Sequence, residues 1–162
     1  MKRALILAIA LSTSVISAAS EDTPQQLENE IMTTVNRFLQ AINTADIALM
    51  AEVVRPDAMT YARIQEADGS FSTKARLQAH FLEDLKKNPQ FTERIWDPVI
   101  LANEQIAAVW AQYDFYVDGE FSHCGTDLFN LLYDEGKWKI ANSSWTVVKE
   151  DCPASPLGKF AQ

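Results

Sequence analysis

Three stretches in the last third of the chain alternate apolar and polar residues with the period of a β-strand. They cover residues 105–117, 121–133 and 137–149, and are rich in β-branched and aromatic side chains. Asp118-Gly119 separates the first two, which is a strong signal for a type I′ hairpin turn. Asp134-Glu135-Gly136 separates the second and third, and it suits a three-residue turn. The pattern therefore predicts an antiparallel meander.

The two turns predict which side chains face each other in this meander. A two-residue first turn places Asp114 opposite His123 and Trp110 opposite Asp127, and we call this side the Asp–His face. The other side, the aliphatic face, is expected to pack on the helices because its apolar residues lie opposite the exposed lysines of the third strand. These apolar residues are Val109, Leu128, Leu132, Trp138 and Ile140.

The region before the meander predicts three helices and two further strands. A helix is expected to begin at Pro24, with Thr23 as N-cap, because apolar residues recur at helical spacing from Leu27 to Ile42. A short helix over 46–54 and a strand over 58–65 follow. A third helix is expected to begin near Ser72 or Thr73 and run to Lys87, where Asn88-Pro89 ends it. A strand over 91–101 completes the order ααβαββββ, an α+β class with helices packed on a curved, mostly antiparallel sheet.

The first 19 residues have the composition of a signal peptide. Met1-Lys2-Arg3 precedes an apolar stretch over 4–11, and Ser17-Ala18-Ala19 provides small residues for cleavage after Ala19. The apolar stretch is too short for a permanent transmembrane anchor. The sequence therefore predicts an exported protein, periplasmic or secreted, with one domain over residues 20–162.

The charge of the exported chain bears on its partners. The full chain has a net charge of −8, and loss of the two cations at positions 2 and 3 makes it −10. A surface this acidic disfavours nucleic acid and anionic membranes as partners. No His-x-x-x-His, Cys-x-x-Cys or Gly-rich phosphate-binding motif is present, so neither a metal nor a cofactor is expected.

The chain contains two cysteines, Cys124 and Cys152. An even number in an exported chain favours a disulfide, which would tie the C-terminal tail to the sheet. The alternative is two unpaired thiols.

Three segments, 110–119, 123–129 and 136–140, resemble exported bacterial members of the nuclear-transport-factor-2-like superfamily, which includes ketosteroid isomerase and polyketide cyclases. The order of elements over nearly the whole mature chain is also similar. The resemblance implies a cone-shaped fold around a deep apolar pocket, and often a dimer through the convex side of the sheet. It does not imply one reaction. Tyr61, Tyr113 and Asp127 have the residue types of the isomerase site, but no local motif assigns them those roles, so no mechanism is carried over.

The predicted register brings chemically useful groups together on each face. On the Asp–His face, His123 with Asp114 or Asp127 would form an acid–base pair if the protein is an enzyme; the alternative is a structural ion pair or a dimer interface. On the aliphatic face, polar groups on an apolar wall are typical of a ligand pocket, although they could instead hydrogen-bond to one another. These candidate ligand-binding residues are Tyr113, Thr126, Asn130, Asn142 and Ser144.

The leading functional hypothesis is an exported domain that binds a small apolar molecule, with a homodimer through the convex sheet. Two alternatives stay open: a cofactor-free lyase or isomerase using the His–Asp pair, and a protein-interaction module.

Overall fold

The computed structural model describes residues 23–87 and 90–160, so the predicted signal peptide and Asn88-Pro89 lie outside the described residues. In the described ranges, no helix is both long and apolar enough to span a bilayer. The elements are α1 (Pro24–Asn43), α2 (Ile47–Val53), β1 (Val54–Gln65), β2 (Phe71–Leu77), α3 (Gln78–Lys87), β3 (Phe91–Ala102), β4 (Ile106–Val117), β5 (Glu120–Asp134) and β6 (Lys137–Val147).

The six strands form one open, mixed sheet in the order β2-β1-β6-β5-β4-β3. Only the β1–β6 pair is parallel among the described strands, and the other pairs are antiparallel. The three helices and this mostly antiparallel sheet confirm the predicted α+β class.

Helix α1 begins and packs as its sequence predicts. Thr23 is the N-cap, and its hydroxyl accepts a hydrogen bond from the Gln26 amide at 3.2 Å. The apolar stripe of α1 is buried against one side of the sheet, which we call the cavity face, and the opposite side is the outer face. This shared core includes Ile31, Val35, Phe38 and Ile42 of α1 with Val109, Phe129, Leu131, Trp138 and Ile140 of the sheet.

Strand β2 corrects the predicted third helix. Residues from Phe71 to Leu77 pair with β1, and α3 begins only at Gln78. Arg63 of β1 donates a hydrogen bond to the Thr73 hydroxyl at 2.9 Å, and its guanidinium lies 5.2 Å from the centre of the Phe71 ring. These cross-strand contacts outweigh a local sequence that also suits a helix.

The first hairpin has the predicted turn, but its register changes two residues later. Asp118 and Gly119 both have positive φ, as a type I′ turn requires. Ser122 has no partner in the ladder, so Phe115 pairs with His123 and Asp114 pairs with Cys124. This β-bulge places Asp114 and His123 on opposite faces. The predicted contact between them is therefore wrong.

The second hairpin also differs by one residue. Glu135 and Gly136 alone form the turn, so Asp134 pairs with Lys137 and the predicted three-residue turn is wrong. A second bulge at Ala141 shifts the register again. Val109, Trp138 and Ile140 pack on α1 as expected, whereas Leu128 and Leu132 lie on the outer face. Phe129, Leu131 and Asp127 occupy the cavity face in their place.

A C-terminal segment, residues 149–160, lies on the outer face. The predicted disulfide between Cys124 and Cys152 is confirmed, with 6.0 Å between the Cα atoms. Further along, Arg94 donates a hydrogen bond to the Gly158 carbonyl at 3.0 Å, and the Phe160 ring centre lies 4.9 Å from that of Tyr116. We call this segment the strap.

Candidate functional site

A cavity of about 190 Å³ lies between α1, the start of α3 and the cavity face of the sheet. Its walls are mostly aromatic, and its polar groups lie on the five strands β2 to β6 and at the start of α3. The lining residues are Phe38, Ile42, Arg76, Gln78, Phe81, Glu93, Tyr113, Phe115, His123, Asp127, Phe129, Ser143 and Trp145.

Two buried carboxyl groups form the main polar feature of this cavity. Glu93 and Asp127 expose only 9% and 4% of their surface, and their side chains hydrogen-bond to each other. Such a bond requires a proton on one of the two groups. The Oδ2 atom of Asp127 is fully buried and receives no hydrogen bond from any amide or hydroxyl group of the described residues.

Burial raises the pKa of both carboxyl groups above their ordinary values. Desolvation raises the pKa of Glu93 to about 7, and the hydrogen bond to Asp127 partly opposes this rise. Desolvation is also the main cause that raises the pKa of Asp127, and the charge of Glu93 and the hydrogen bond between the two groups raise it too. Glu93 is therefore the member that ionises first, and its charge favours the protonated form of Asp127.

The side chain of Asn43 holds the backbone of Glu93 through two hydrogen bonds. Asn43, the last residue of α1, accepts a hydrogen bond from the Glu93 amide at 2.8 Å and donates one to its carbonyl at 3.1 Å. Glu93 lies on β3 between Phe91 and Ile95, which pack against the core. An acidic residue between two inward-facing apolar residues at period two is the signal that could have revealed it, and our sequence reasoning missed it.

Tyr113 lines the cavity with its ring, but its hydroxyl is already used. The hydroxyl donates a hydrogen bond to the Thr146 carbonyl at 2.7 Å. Desolvation, and then the charges of Asp127 and Glu93, raise the pKa of Tyr113. The ring lies over Gly125, where an added Cβ would be 2.8 Å from Tyr113 Cε1 and 2.0 Å from the Thr146 carbonyl oxygen. A glycine is therefore required at this position.

His123 reaches the cavity because of the bulge at Ser122. Its ring stacks on Phe115 at 4.9 Å between centres, and its Nδ1 atom lies 3.0 Å from the Ser122 hydroxyl. Desolvation, with a smaller effect from the charge of Lys149, lowers the pKa of His123 to about 4. The imidazole is therefore neutral at physiological pH.

Arg76 brings a positive charge to the cavity wall, but this charge is already paired. Its guanidinium lies 2.6 Å from the Asp84 carboxylate and 5.3 Å from the centre of the Phe81 ring. The described residues contain no group of three or more His, Cys, Asp or Glu side chains arranged to hold a metal.

Asp114 lies on the outer face, whereas His123, its predicted partner, lies on the cavity face. Asp114 is buried, and the Arg94 guanidinium bonds to both of its carboxylate oxygens, with 2.8 Å between Arg94 Nε and Asp114 Oδ1. The Tyr116 hydroxyl is a further neighbour of this pair. Asp114 therefore belongs to the contact between the sheet and the strap.

Four predicted ligand-binding residues, Thr126, Asn130, Asn142 and Ser144, are likewise on the outer face, because the bulges exchange the faces of β5 and the end of β6. Asn130 donates a hydrogen bond to the Asn142 side-chain oxygen at 2.7 Å, as the alternative interpretation allowed. The cavity thus contains Tyr113, His123 and Asp127 from the predicted set.

A sequence profile of a family described as "Putative lumazine-binding" matches residues 26–146, which is most of the chain. The chain belongs to this family. No curated protein matches the sequence.

Solved structures show the same fold at low sequence identity. A conserved protein from Planctomyces limnophilus is 17% identical with a TM-score of 0.64, over 76% of this chain and 98% of that one. A nuclear-transport-factor-2-like superfamily protein from Salmonella enterica is 16% identical with a TM-score of 0.62, over 80% and 96%. An NTF2-like protein of unknown function from Shewanella baltica is 18% identical with a TM-score of 0.57, over 77% and 96%. These likenesses confirm the predicted superfamily fold.

Proposed function

We propose that the protein binds a small, planar, aromatic heterocycle of the lumazine type in the cavity between α1 and the sheet. The observation that carries the proposal is the cavity itself, whose aromatic walls surround two convergent carboxyl groups. Such a lining is typical of small-molecule sites, where apolar surface supplies affinity and a few polar groups set orientation. The family description supports the same ligand class.

A pair of variants at neighbouring positions tests this function. Ser143 is buried and lines the cavity, whereas Ser144 lies on the outer face. Ser143→Leu should fill part of the cavity and weaken lumazine binding at least tenfold by isothermal titration calorimetry, with little effect from Ser144→Leu. Equal affinities of both variants and the wild type would place the ligand elsewhere.

Acid–base catalysis is a second candidate function, and the carboxyl pair favours it. Two carboxyls in one dry cavity with separated acidities can serve as base and acid, with Glu93 accepting a proton and Asp127 donating one. This replaces the predicted pairing of His123 with Asp114, which the register prevents. A cofactor-free lyase or isomerase of this kind would lose turnover in Glu93→Gln while retaining ligand binding. Unchanged turnover in that variant would remove Glu93 from the mechanism.

Export to an oxidising compartment fits both the N-terminal sequence and the disulfide. Cell fractionation with the native leader, followed by intact-mass measurement, tests it. The periplasmic or secreted form should begin at Ser20 and contain the Cys124–Cys152 bond. A cytoplasmic form that retains Met1 or the leader would contradict export.

A homodimer through the outer face is the third part of the proposal. Apolar side chains of β3, β4 and β5 are exposed there beside the strap, including Trp110 at 51% and Ile106 at 52%. A Trp110→Glu variant should shift the sedimentation coefficient from dimer to monomer at micromolar concentration. A wild-type protein that sediments as a monomer would exclude this assembly.

A further inference from the structure

The carboxyl pair in the cavity offers a donor and an acceptor side by side. Above about pH 7, once Glu93 has ionised, the pair holds one proton, and the Glu93 charge favours its place on Asp127, so Asp127 supplies an O–H group and Glu93 supplies a carboxylate. Their side chains both contribute to the cavity wall. A ligand that satisfies both groups must present the complementary order, which is an acceptor next to a donor.

The other titratable groups that face the pair cannot take over this role. The Tyr113 hydroxyl donates to the Thr146 carbonyl, and His123 is uncharged with its Nδ1 atom at the Ser122 hydroxyl. Helix α1 contributes only apolar side chains to the cavity, and the wall from α3 is Gln78 and Phe81.

The charges around the cavity also restrict the ligand. Arg76, the cation in the described part of the wall, is already paired with Asp84. Glu93 carries a buried negative charge when the pH is above its pKa of about 7. An anionic ligand would therefore meet a carboxylate in a low-dielectric site without a free cation to compensate. A neutral ligand with an N–H donor avoids this cost.

We propose that Glu93 and Asp127 together recognise one edge of a neutral heterocycle, on which a ring N–H lies beside a carbonyl or ring-nitrogen acceptor. On binding, the N–H replaces Asp127 as the donor to Glu93, and the Asp127 hydroxyl, released from Glu93, donates to the neighbouring acceptor. Lactam, ureide and related ring edges have this order. The inference rests on the proposed function, because it assigns the polar recognition within the same cavity.

Matched probes test the edge separately from the cavity. Lumazine carries ring N–H groups beside carbonyls, 1,3-dimethyllumazine lacks those N–H groups, and lumazine-6-carboxylate adds a negative charge. In the wild-type protein at pH 8, methylation should weaken binding on the order of 10–100-fold, because it leaves a buried carboxylate without its donor. The carboxylate derivative should bind at least as weakly as the methylated one.

A Glu93→Leu variant separates lost hydrogen bonding from simple crowding by the methyl groups. Leucine removes the acceptor and fills a similar volume, so the affinities for lumazine and its dimethyl derivative should differ less than about threefold. Ser144→Ala, on the outer face, should keep the wild-type preference. Circular dichroism checks that each variant is folded. The comparison of lumazine with its dimethyl derivative on the wild-type protein does not depend on the variants.

Each outcome has a definite meaning. Equal wild-type binding of lumazine and dimethyllumazine would overturn recognition of the edge and leave the cavity as a ligand site. A methylation penalty that persists in Glu93→Leu would assign the effect to crowding and also overturn it. Tight binding of the carboxylate derivative would overturn the requirement for a neutral ligand. If no lumazine binds the wild type, both this inference and the proposed function fall.

Discussion

The buried carboxylate of Glu93 should make the free energy of unfolding depend on pH in a particular direction. Its folded pKa is about 7, against an ordinary value of 4.5. Because the folded state holds this proton more tightly, the contribution of Glu93 to stability is fully present below about pH 4.5 and is lost as the pH rises through about 7. Each unit of difference is worth about 1.4 kcal/mol, so the full loss is about 3 kcal/mol.

Replacing Glu93 with Gln removes this titration while keeping the size of the side chain. The variant should match the wild type most closely near pH 4 and gain about 3 kcal/mol relative to it by pH 8. Burial, which is the main cause of the raised pKa of Asp127, is the same in both proteins because glutamine keeps the size of the side chain. Urea unfolding at half-unit pH intervals, with the disulfide intact, measures the difference.

Glu104→Gln is the control for this experiment. Glu104 is exposed in the loop between β3 and β4, and its loss changes the net charge by the same amount. Its stability curve should run parallel to that of the wild type. If the Glu93→Gln curve is also parallel, or if the variant loses stability relative to the wild type as the pH rises, then Glu93 is not a buried acid with a raised pKa.

Three further predictions concern the frame of the site. Reducing the bond between Cys124 and Cys152, which closes a separation of 28 residues, should cost about 3–4 kcal/mol in urea unfolding; a loss below about 1 kcal/mol would mean that the strap barely restrains the unfolded chain. Gly125→Ala should lower stability by about 1–3 kcal/mol by calorimetry, because its Cβ overlaps the Thr146 carbonyl, and an unchanged melting temperature would contradict this packing. Tyr113→Phe should cost about 1–2 kcal/mol but change lumazine affinity less than about threefold, since the hydroxyl bonds to the backbone; a tenfold loss of affinity would make that hydroxyl a ligand contact.

The sequence predicted those features that depend on local patterns. The apolar stripe of α1, the cap at Thr23 and the turn at Asp118-Gly119 each follow from a few neighbouring residues, and all three are confirmed. The disulfide followed from export chemistry and an even number of cysteines. The superfamily fold was recognisable because its element order extends over most of the chain.

The sequence predicted the site less well, because the face on which each β5 side chain lies depends on the exact pairing register with β4. The extra residue at Ser122 has no distinctive sequence signal, yet it moves His123 and Asp127 to the cavity face while Asp114 stays on the outer face. Glu93 was missed for a different reason. A single acid in a strand is usually solvated, and only the packing of α1 and β5 around it shows that this one is buried.

The two bulges also determine where this chain can change length. Ser122 of β5 has no pairing partner on β4, and Ala141 of β6 has none on β5. Each is an extra residue that the pairing of its hairpin does not need. Removing Ser122 would straighten β5 and still leave His123 and Asp127 facing inward, whereas a deletion between those two would turn one of them outward. Related chains of different length should therefore be aligned with their gaps at the bulges, because a gap placed elsewhere would match cavity residues to residues on the outer face.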